Sequence, residues 1–386
     1  MAVWIPDGGR DALDLLVRDL VDLFGQAEGR ITRAVVAQLR AGLDAGVGPV
    51  QALRMGELTA EAQRVARWLS QTSPEVLERI LTTAAQQGVD AAVAELSALV
   101  GSTGTTSATA VAGTAGTLVR PGTAAAVVMR ADLSNALADV TRRVLRFPDD
   151  VYRRAIAAHA SDVTLGLGTT GSAQLRAWNS LLGQGVTGFV DVAGRHWNLA
   201  TYVEMATRSA TRRAFDDAKV GAMQANGVDL VSIVVGRGAC ESCARWAGKV
   251  LRTTPGPTGR IRVRHATQDR EVTVTVAGTL DEAKAAKWRH PNCRCATVAY
   301  LPGLSVIEDV TTFDPQAEAD RERLRDLERR VRRARTDEAT ALDDDTRRAA
   351  RARVRDLQAQ IRAHVAETGL MRQRNREKPD LGNIRV

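Results

Sequence analysis

The sequence predicts a mainly α-helical protein with one small α+β module and a helical hairpin near the C-terminus. Three observations predict this fold class. Aromatic residues make up only 4% of the 386 residues, and alanine, leucine, valine and arginine are abundant, as is typical of helices packed on helices. Apolar residues recur at spacings of three and four along most of the chain. The patterns typical of strands are concentrated in residues 229–300, which also hold all four cysteines.

Residues 1–100 form the predicted N-terminal helical region. Two apolar stripes mark its first helices: Leu13, Leu16, Val17, Leu20 and Leu23 in one, and Ile31, Val35, Leu39 and Leu43 in the other. Ser73 followed by Pro74 predicts the start of a third helix, because a proline at the first helical position loses no intrahelical hydrogen bond. Gly88 predicts the end of that helix. Each of these helices is expected to bury one face.

Residues 101–123 are dominated by glycine, alanine and threonine, which predicts a flexible linker or an exposed loop. A central helical region follows over residues 124–228. The glycines of residues 183–199 predict a turn-rich segment or a short hairpin inside it. Asn198 predicts the N-cap of a long helix that ends at Gly227. The exposed basic face expected on this helix is formed by Arg208, Arg212 and Arg213.

The predicted α+β module covers residues 229–303. Three of its segments read as strands because they alternate or are rich in β-branched residues, namely "DLVSIVV", "RIRVR" and "EVTVTV". The last two are expected to pair as a hairpin.

A helical hairpin is predicted over residues 315–370, followed by a tail over residues 371–386. Its two apolar seams consist of Leu324, Leu327 and Val331, and of Val354, Leu357, Ile361 and Val365. The segment "TDEATALDDD" predicts a polar turn with acidic caps, and Gly369 predicts the end of the second helix. Residues 316–386 hold 19 basic and 14 acidic side chains. Because the seams are too short for a free-standing coiled coil, the hairpin is expected to dock on its own body or on a partner.

The chain carries a formal net charge of +8. A basic balance favours contact with polyanions such as nucleic acid, although arginine-rich surfaces also occur in proteins of GC-rich genomes. The first residues lack the basic start and apolar run of a signal peptide, and no uninterrupted apolar stretch reaches the length of a membrane span. We therefore expect no contact with a membrane and synthesis in a reducing cytoplasm, where paired cysteines more often hold a metal than form disulfides.

The four cysteines form two clusters, Cys240-Glu-Ser-Cys243 and His290-Pro-Asn-Cys293-Arg-Cys295. A tetrahedral zinc ion takes four thiolate or imidazole donors, and a two-residue spacer lets both thiolates of a pair reach one ion. Five donors are available for four places. Cys240, Cys243 and His290 are the first three choices, and Cys293 is a better fourth ligand than Cys295. Two alternatives remain open, four buried apolar cysteines or disulfides formed in an assembled extracellular particle.

The metal is predicted to be structural. The segment around His196 lacks the glutamate of the zinc deaminase motif, and no H-E-x-x-H segment is present. A site closed by four protein ligands leaves no open position for a reactive water. The sequence also contains no nucleophile elbow and no glycine-rich phosphate loop, so no catalytic residue and no organic cofactor are predicted.

Residues 175–300 resemble the phage minor capsid protein family, the portal-associated head morphogenesis proteins that include minor capsid protein 2 and Mu F-like proteins. The resemblance continues more weakly into the N-terminal helices and the C-terminal hairpin. The segments that carry it are Tyr202-Val203-Glu204-Met205, Cys240-x-x-Cys243, Trp246-x-Gly248-Lys249-Val250 and His290-Pro291-x-Cys293-Arg294.

The resemblance implies a non-enzymatic structural component of a tailed-phage or prophage head, present in few copies. Its implied partners are portal and capsid proteins, with packaged DNA as a further partner for its basic faces. It implies a role in head assembly, DNA packaging or DNA delivery, and location in the virion after synthesis in the bacterial cytoplasm. The alternative is a zinc-stapled nuclease or other DNA-processing enzyme that uses His265 or His290, although no converging set of aspartate and histidine is evident in the sequence.

Overall fold

The computed structural model describes residues 13–45, 53–101, 118–164, 179, 189–190, 196–235, 239–291, 293, 295–307 and 313–379. The chain forms two compact units, each assembled from three separate segments. The first unit comprises Met1–Val17, Leu77–Leu133 and Met205–Glu318, and the second comprises Arg18–Val76, Ser134–Glu204 and Ala319–Val386. The fold class is mainly α with one small α+β module, as predicted. The boundaries predicted for smaller domains stay predictions.

Helices make up most of the described chain. In order they are α1 (Arg18–Asp44), α2 (Met55–Gly101), α3 (Ala124–Thr164), α4 (Leu199–Ala225), α5 (Glu241–Ala244), α6 (Leu280–Ala285), α7 (Pro315–Thr340) and α8 (Asp344–Thr368), followed by a short 3₁₀ turn at Arg374–Glu377. Of the predicted linker, residues 102–117 lie outside the described residues.

The helix predicted to start at Ser73 and end at Gly88 is wrong at both ends, since α2 is continuous from Met55 to Gly101. Ser73 lies on a buried stripe between Leu69 and Leu77, which are 0% and 1% exposed. Burial along this continuous stripe outweighs the loss of one intrahelical hydrogen bond at Pro74.

Gly88 has a packing role that its sequence position does not reveal. A methyl group at this position would overlap the backbone carbonyl oxygen of Phe215 in α4. The glycine therefore lets the backbones of α2 and α4 approach closely inside the first unit.

Helix α4 begins as predicted, because the side-chain oxygen of Asn198 accepts a hydrogen bond from the backbone N–H of Thr201 at 2.9 Å. The helix is followed by Gly227, which has a φ of 78°. The hairpin predicted before α4 consists of β1 (Phe189–Val190) and β2 (His196–Trp197), which pair antiparallel. The loop between these strands lies outside the described residues.

The α+β module contains a five-stranded sheet in the first unit. Its strands are β3 (Leu230–Val234), β4 (Val250–Arg252), β5 (Gly259–Arg264), β6 (Glu271–Thr279) and β7 (Ala296–Ala299), in the spatial order β5-β6-β4-β3-β7. Only β4 and β6 run parallel. The predicted β5–β6 hairpin is confirmed. One apolar cluster of the sheet consists of Leu230, Val250, Val274 and Val276.

The C-terminal hairpin lies in the second unit and joins its two helices through an apolar seam. The seam consists of Leu324, Leu327, Val331, Ala334, Val354, Leu357 and Ile361. Asp343 caps α8 by accepting a hydrogen bond from the backbone N–H of Thr346, and Gly369 ends that helix with a φ of 68°. The predicted turn is shorter than expected, because Thr336–Thr340 still belong to α7.

The hairpin was expected to dock either on its own body or on a partner, and the structure shows that it docks on its own unit. Arg332 in α7 donates a hydrogen bond to the hydroxyl of Thr201 at 3.0 Å, and Arg40 in α1 donates one to the carbonyl of Ala341 at 3.1 Å. These contacts join the hairpin to α1 and to the start of α4 in the same unit.

Candidate metal centre

Strand pairing brings the two cysteine clusters together. Cys240 and Cys243 follow β3, whereas Cys293 and Cys295 precede β7. The antiparallel pairing of β3 with β7 places Val234, the last residue of β3, opposite Ala296, the first residue of β7. Segments that are 50 residues apart in sequence therefore meet at the same end of the sheet.

Helix α5 presents the first pair of thiols. Cys240 caps this single-turn helix in an extended conformation, and its carbonyl accepts hydrogen bonds from the backbone N–H groups of Cys243 and Ala244 at 3.1 and 2.9 Å. This tight turn directs both sulfurs to one side. A two-residue spacer between cysteines commonly places two thiolates on one metal ion in this way. Gly236 and Gly238, which precede this turn in the sequence, lie outside the described residues.

All five predicted donors take part in the cluster. The Sγ atom of Cys240 lies 3.1 Å from Nε2 of His290, and the Sγ atoms of Cys243 and Cys293 lie 3.5 Å apart. The donor atoms form two overlapping groups, Cys240 with Cys243 and His290, and Cys243 with Cys293 and Cys295, each within 4.8 Å. Cys243 belongs to both groups and is therefore the centre of the site. The four cysteines form no disulfide.

The orientation of His290 suits metal binding through Nε2. Its Nδ1 donates a hydrogen bond to the backbone carbonyl of Pro291 at 2.9 Å. This bond holds the proton on Nδ1, so the lone pair of Nε2 points at the cysteine thiols. A backbone carbonyl commonly plays this part behind a histidine ligand.

The thiols perturb one another strongly. A hydrogen bond with Cys293 raises the pKa of Cys243, and the same bond lowers the pKa of Cys293 to about 2. A hydrogen bond with Cys243 acts to lower the pKa of Cys295, but contact with Cys293 and burial raise it to about 12. The protein alone therefore stabilises one thiolate at the expense of its neighbours. A bound cation would allow all of them to ionise.

Two contacts in the cluster have nearly the spacing expected between ligands of one metal ion. Ligands at about 2.0–2.3 Å from a zinc ion in a tetrahedral site lie roughly 3.3–3.8 Å from one another. The contacts between Cys240 and His290 and between Cys243 and Cys293 are close to that spacing. The cluster of Cys240, Cys243, His290, Cys293 and Cys295 can therefore hold a metal ion.

A network of ion pairs braces the loop that carries His290. Arg289 has a φ of 63°, and its buried guanidinium stacks over Trp288 at 4.6 Å. The same guanidinium donates a hydrogen bond to Asp217 in α4 at 2.6 Å and lies 3.5 Å from Asp216. These contacts fix the backbone next to a predicted metal ligand.

Arg212 extends the bracing network, which corrects one prediction. It pairs with Asp216 at 3.1 Å and donates a hydrogen bond to the carbonyl of Cys295 at 3.3 Å. Arg212 is therefore part of the support of the site, whereas Arg213 is exposed as expected and Arg208 lies 3.5 Å from Asp14. The sequence offered one usable signal, the adjacent acids Asp216 and Asp217 on a helix rich in arginine.

His265 does not join the cluster. It is 3% exposed, its Nδ1 accepts a hydrogen bond from the backbone N–H of Thr267 at 3.2 Å, and its ring packs against Gly303. A buried ring held in this way is unavailable to a phosphate. Within the described ranges, three or more His, Cys, Asp or Glu donors converge only at the cysteine cluster.

A family comparison gives the class of the protein. The family model described as phage minor capsid protein 2 matches residues 10–366, which is nearly the whole chain. The chain belongs to the phage minor capsid protein 2 family. The resemblance drawn from the cysteine, histidine and tryptophan motifs is therefore confirmed, and the match also includes the N-terminal helices and the C-terminal hairpin. No curated protein and no solved structure matches the chain.

Membership of the minor capsid family makes the chain a structural protein of the phage head and a component of the virion. In the part of the chain that the structure describes, no helix has the length and apolar character needed to cross a bilayer. The cluster of cysteines and His290 thus lies in a capsid component, where β3 ends and β7 begins.

Proposed function

We propose that the protein is a non-enzymatic minor head component of a tailed phage or prophage, in which a structural zinc ion fastens the α+β module. The proposed ligands are Cys240, Cys243, His290 and Cys293, with Cys295 beside them as a fifth donor. The observation that carries the proposal is the convergence of five donors in two groups that share Cys243. Five donors are enough to fill four places, and Arg212 and Arg289 brace the segments that carry them, which suits a structural ion better than a reactive one.

The proposed partners are portal and capsid proteins, and the proposed role lies in head assembly, DNA packaging or DNA delivery. Family membership supports this role, and the basic balance of the chain supports proximity to DNA or to an acidic portal surface. We further propose synthesis in the bacterial cytoplasm, where reducing conditions keep the four thiols available for a metal.

Metal analysis of the full chain, purified under reducing conditions, tests the structural ion. About one zinc per chain is expected, and mass spectrometry of intact protein under native conditions should show the same stoichiometry. A metal-free protein with four reduced thiols and an intact fold would contradict the metal proposal.

Mass spectrometry of purified phage particles tests the assigned place in the head. The protein should be present at far fewer copies than the major capsid protein and should remain with heads after tails are removed. A protein found only in the host lysate would contradict the proposal. Incubation of the zinc-loaded protein with plasmid and Mg²⁺ should leave the DNA intact, and cutting abolished by one substitution would support the nuclease instead.

A further inference from the structure

The outer face of the β5–β6 hairpin carries a row of arginines. Arg260, Arg262 and Arg264 alternate along β5 with Ile261 and Val263, and the two apolar residues pack against the cluster of Leu230, Val250, Val274 and Val276. The three arginines therefore share the opposite, solvent-facing side of the hairpin. Arg262 and Arg264 are 80% and 76% exposed.

The strand opposite the arginines contributes mostly hydroxyl groups. The register pairs Arg260 with Thr275, Arg262 with Thr273 and Arg264 with Glu271. Both threonines are exposed on the same face as the arginines. Guanidinium and hydroxyl groups are the usual hydrogen-bond donors to phosphate oxygens in complexes with nucleic acid.

The acidic neighbours of the row are weak competitors. Arg264 pairs with Asp269 at 2.8 Å and Arg262 lies 3.8 Å from Glu271, but both carboxylates are well exposed. Exposed ion pairs of this kind contribute about 0–1 kcal/mol, so the arginines can exchange them for other anions. From Gly259 to Thr279 the hairpin holds four arginines and two acidic residues, so its formal net charge is +2.

The spacing of the row suits a chain of phosphates. Alternate residues of a strand lie about 6.6 Å apart on one face, so the three guanidinium groups span about 13 Å. Duplex DNA presents one negative charge for about every 1.7 Å along its axis, and each arginine can therefore find its own phosphate.

We propose that Arg260, Arg262 and Arg264, flanked by Thr273 and Thr275, bind the phosphate backbone of duplex DNA without reading its sequence. The inference deepens the proposed function, because it assigns to one face of the hairpin the contact of a head component with DNA. The apolar side of the hairpin is held by the sheet, so the row is presented on a fixed support.

The test measures binding of a short duplex of mixed sequence to the zinc-loaded full chain as a function of salt. The triple variant Arg260→Gln, Arg262→Gln, Arg264→Gln should bind about tenfold or more weakly at ~50 mM salt. The slope of log K against log salt should become less steep by about 2.7, which corresponds to three lost phosphate contacts. The triple lysine variant should keep most of the slope, because it keeps the charges.

A matched control removes the same charge from another surface. Arg329, Arg330 and Arg333 lie exposed on α7, and their replacement by glutamine should leave the slope nearly unchanged. Equal losses of DNA affinity in the two triple variants would show that binding depends only on the net charge of the protein, and would overturn the inference. Metal content and helical circular dichroism report that each variant is folded.

Three further outcomes overturn the inference. The first is failure of the wild-type protein to retain the duplex at any salt concentration tested. The second is binding of poly-glutamate by the arginines together with equal binding of the duplex by the glutamine variant, which would assign the row to an acidic protein surface. The third is self-association of the glutamine variant with unchanged DNA affinity, which would limit the arginines to protecting the edge strand β5. The presence of the protein in phage heads is measured in a separate experiment. A failure of the DNA-binding inference can therefore be told apart from a failure of the proposed function.

Discussion

Lys219 in α4 and Glu95 in α2 form a buried ion pair, 2.7 Å long, at the outer edge of β7. Lys219 donates a hydrogen bond to the carbonyl of Thr297 at 2.8 Å, and Glu95 accepts one from the backbone N–H of Ala299 at 2.6 Å. Within the described part of the chain, β7 has no neighbouring strand on this side. The ion pair therefore supplies hydrogen-bond partners for the carbonyl of Thr297 and the N–H of Ala299. It joins the α+β module to α2 and α4 of the same unit.

Replacing one partner of this pair should destabilise the first unit strongly. Lys219→Met leaves Glu95 buried without its counter-ion, and a change of this kind costs about 3–5 kcal/mol of unfolding free energy. The double variant Glu95→Leu, Lys219→Met should cost much less than the sum of the single variants. Urea denaturation of the four proteins of this cycle measures the coupling, and strictly additive losses would contradict a direct interaction.

Cys243 should be the least replaceable ligand, because it belongs to both groups of donors. Cys243→Ser is expected to abolish tight zinc binding and to unfold the sheet, while most of the helical circular dichroism signal remains. Cys293→Ser and Cys295→Ser should each retain partial zinc binding, since the other thiol of the pair lies within reach of Cys243. Zinc content by mass spectrometry is the measurement, and equal losses in all three variants would contradict the shared role of Cys243.

Arg289 should increase metal affinity because it holds the neighbouring His290 in position. Arg289→Ala removes the hydrogen bond to Asp217, and loss of such support for a ligand lowers metal affinity about 10–100-fold. Competition with a chromogenic chelator measures this change. Lys287→Ala is the matched control, because Lys287 is an exposed cation in the same loop with a similar φ of 66°. Equal affinities of the two variants would show that the ion pair does not position the ligand.

Three strands of the sheet and the grouping of the cysteines with His290 could be predicted from the sequence because their signals are local and distinctive. Alternation along "RIRVR" and "EVTVTV" identified a hairpin, and two cysteine clusters identified a site. The bracing of that site by Arg289 and Asp217 joins residues 72 positions apart, and neither residue type is unusual in an exposed helix or loop. Only the tertiary structure brings such pairs together.

The helix boundaries predicted at Ser73 and Gly88 were wrong for a related reason. Proline and glycine are local signals for a start and a stop, but the buried stripe on both sides of Pro74 continues the helix. Gly88 meets a requirement of packing, set by Phe215 on another helix. Tertiary contacts with residues distant in sequence thus determine where a helix ends, even where a local sequence signal predicts another boundary.

Gly88→Ala should therefore destabilise the protein although alanine favours helices. The new methyl group meets the carbonyl of Phe215, and overpacking of this kind costs about 1–3 kcal/mol or more. Gly56 is the matched control, since it lies in the same helix with open space around it. Gly56→Ala should be neutral or stabilising by up to about 1 kcal/mol. Thermal and urea denaturation of both variants measure the difference, and stabilisation by Gly88→Ala would contradict the close helix contact.

Glu377 should make the stability of the second unit depend on pH. Its carboxylate is 1% exposed and accepts hydrogen bonds from Arg372 at 2.6 and 2.8 Å and from Gln358 at 3.0 Å. Burial alone would raise the pKa of Glu377, but these bonds lower it below its usual value. The ionised carboxylate therefore stabilises the fold above the unfolded-state pKa of about 4.3, and this contribution is lost as the pH falls through the folded-state pKa.

Glutamine variants separate this effect from general acid unfolding. Glu377→Gln should lower the free energy of unfolding at pH 7 by about 1.5–3 kcal/mol, and the difference from wild type should vanish in acid. Glu328 is the matched contrast, because burial raises the pKa of Glu328 despite Arg376 at 3.7 Å. Its ionised form opposes folding at neutral pH, so Glu328→Gln should be neutral or stabilising at pH 7. Urea denaturation at pH 7 and at acidic pH gives both differences, and equal effects of the two substitutions would contradict the opposite signs of their pKa shifts.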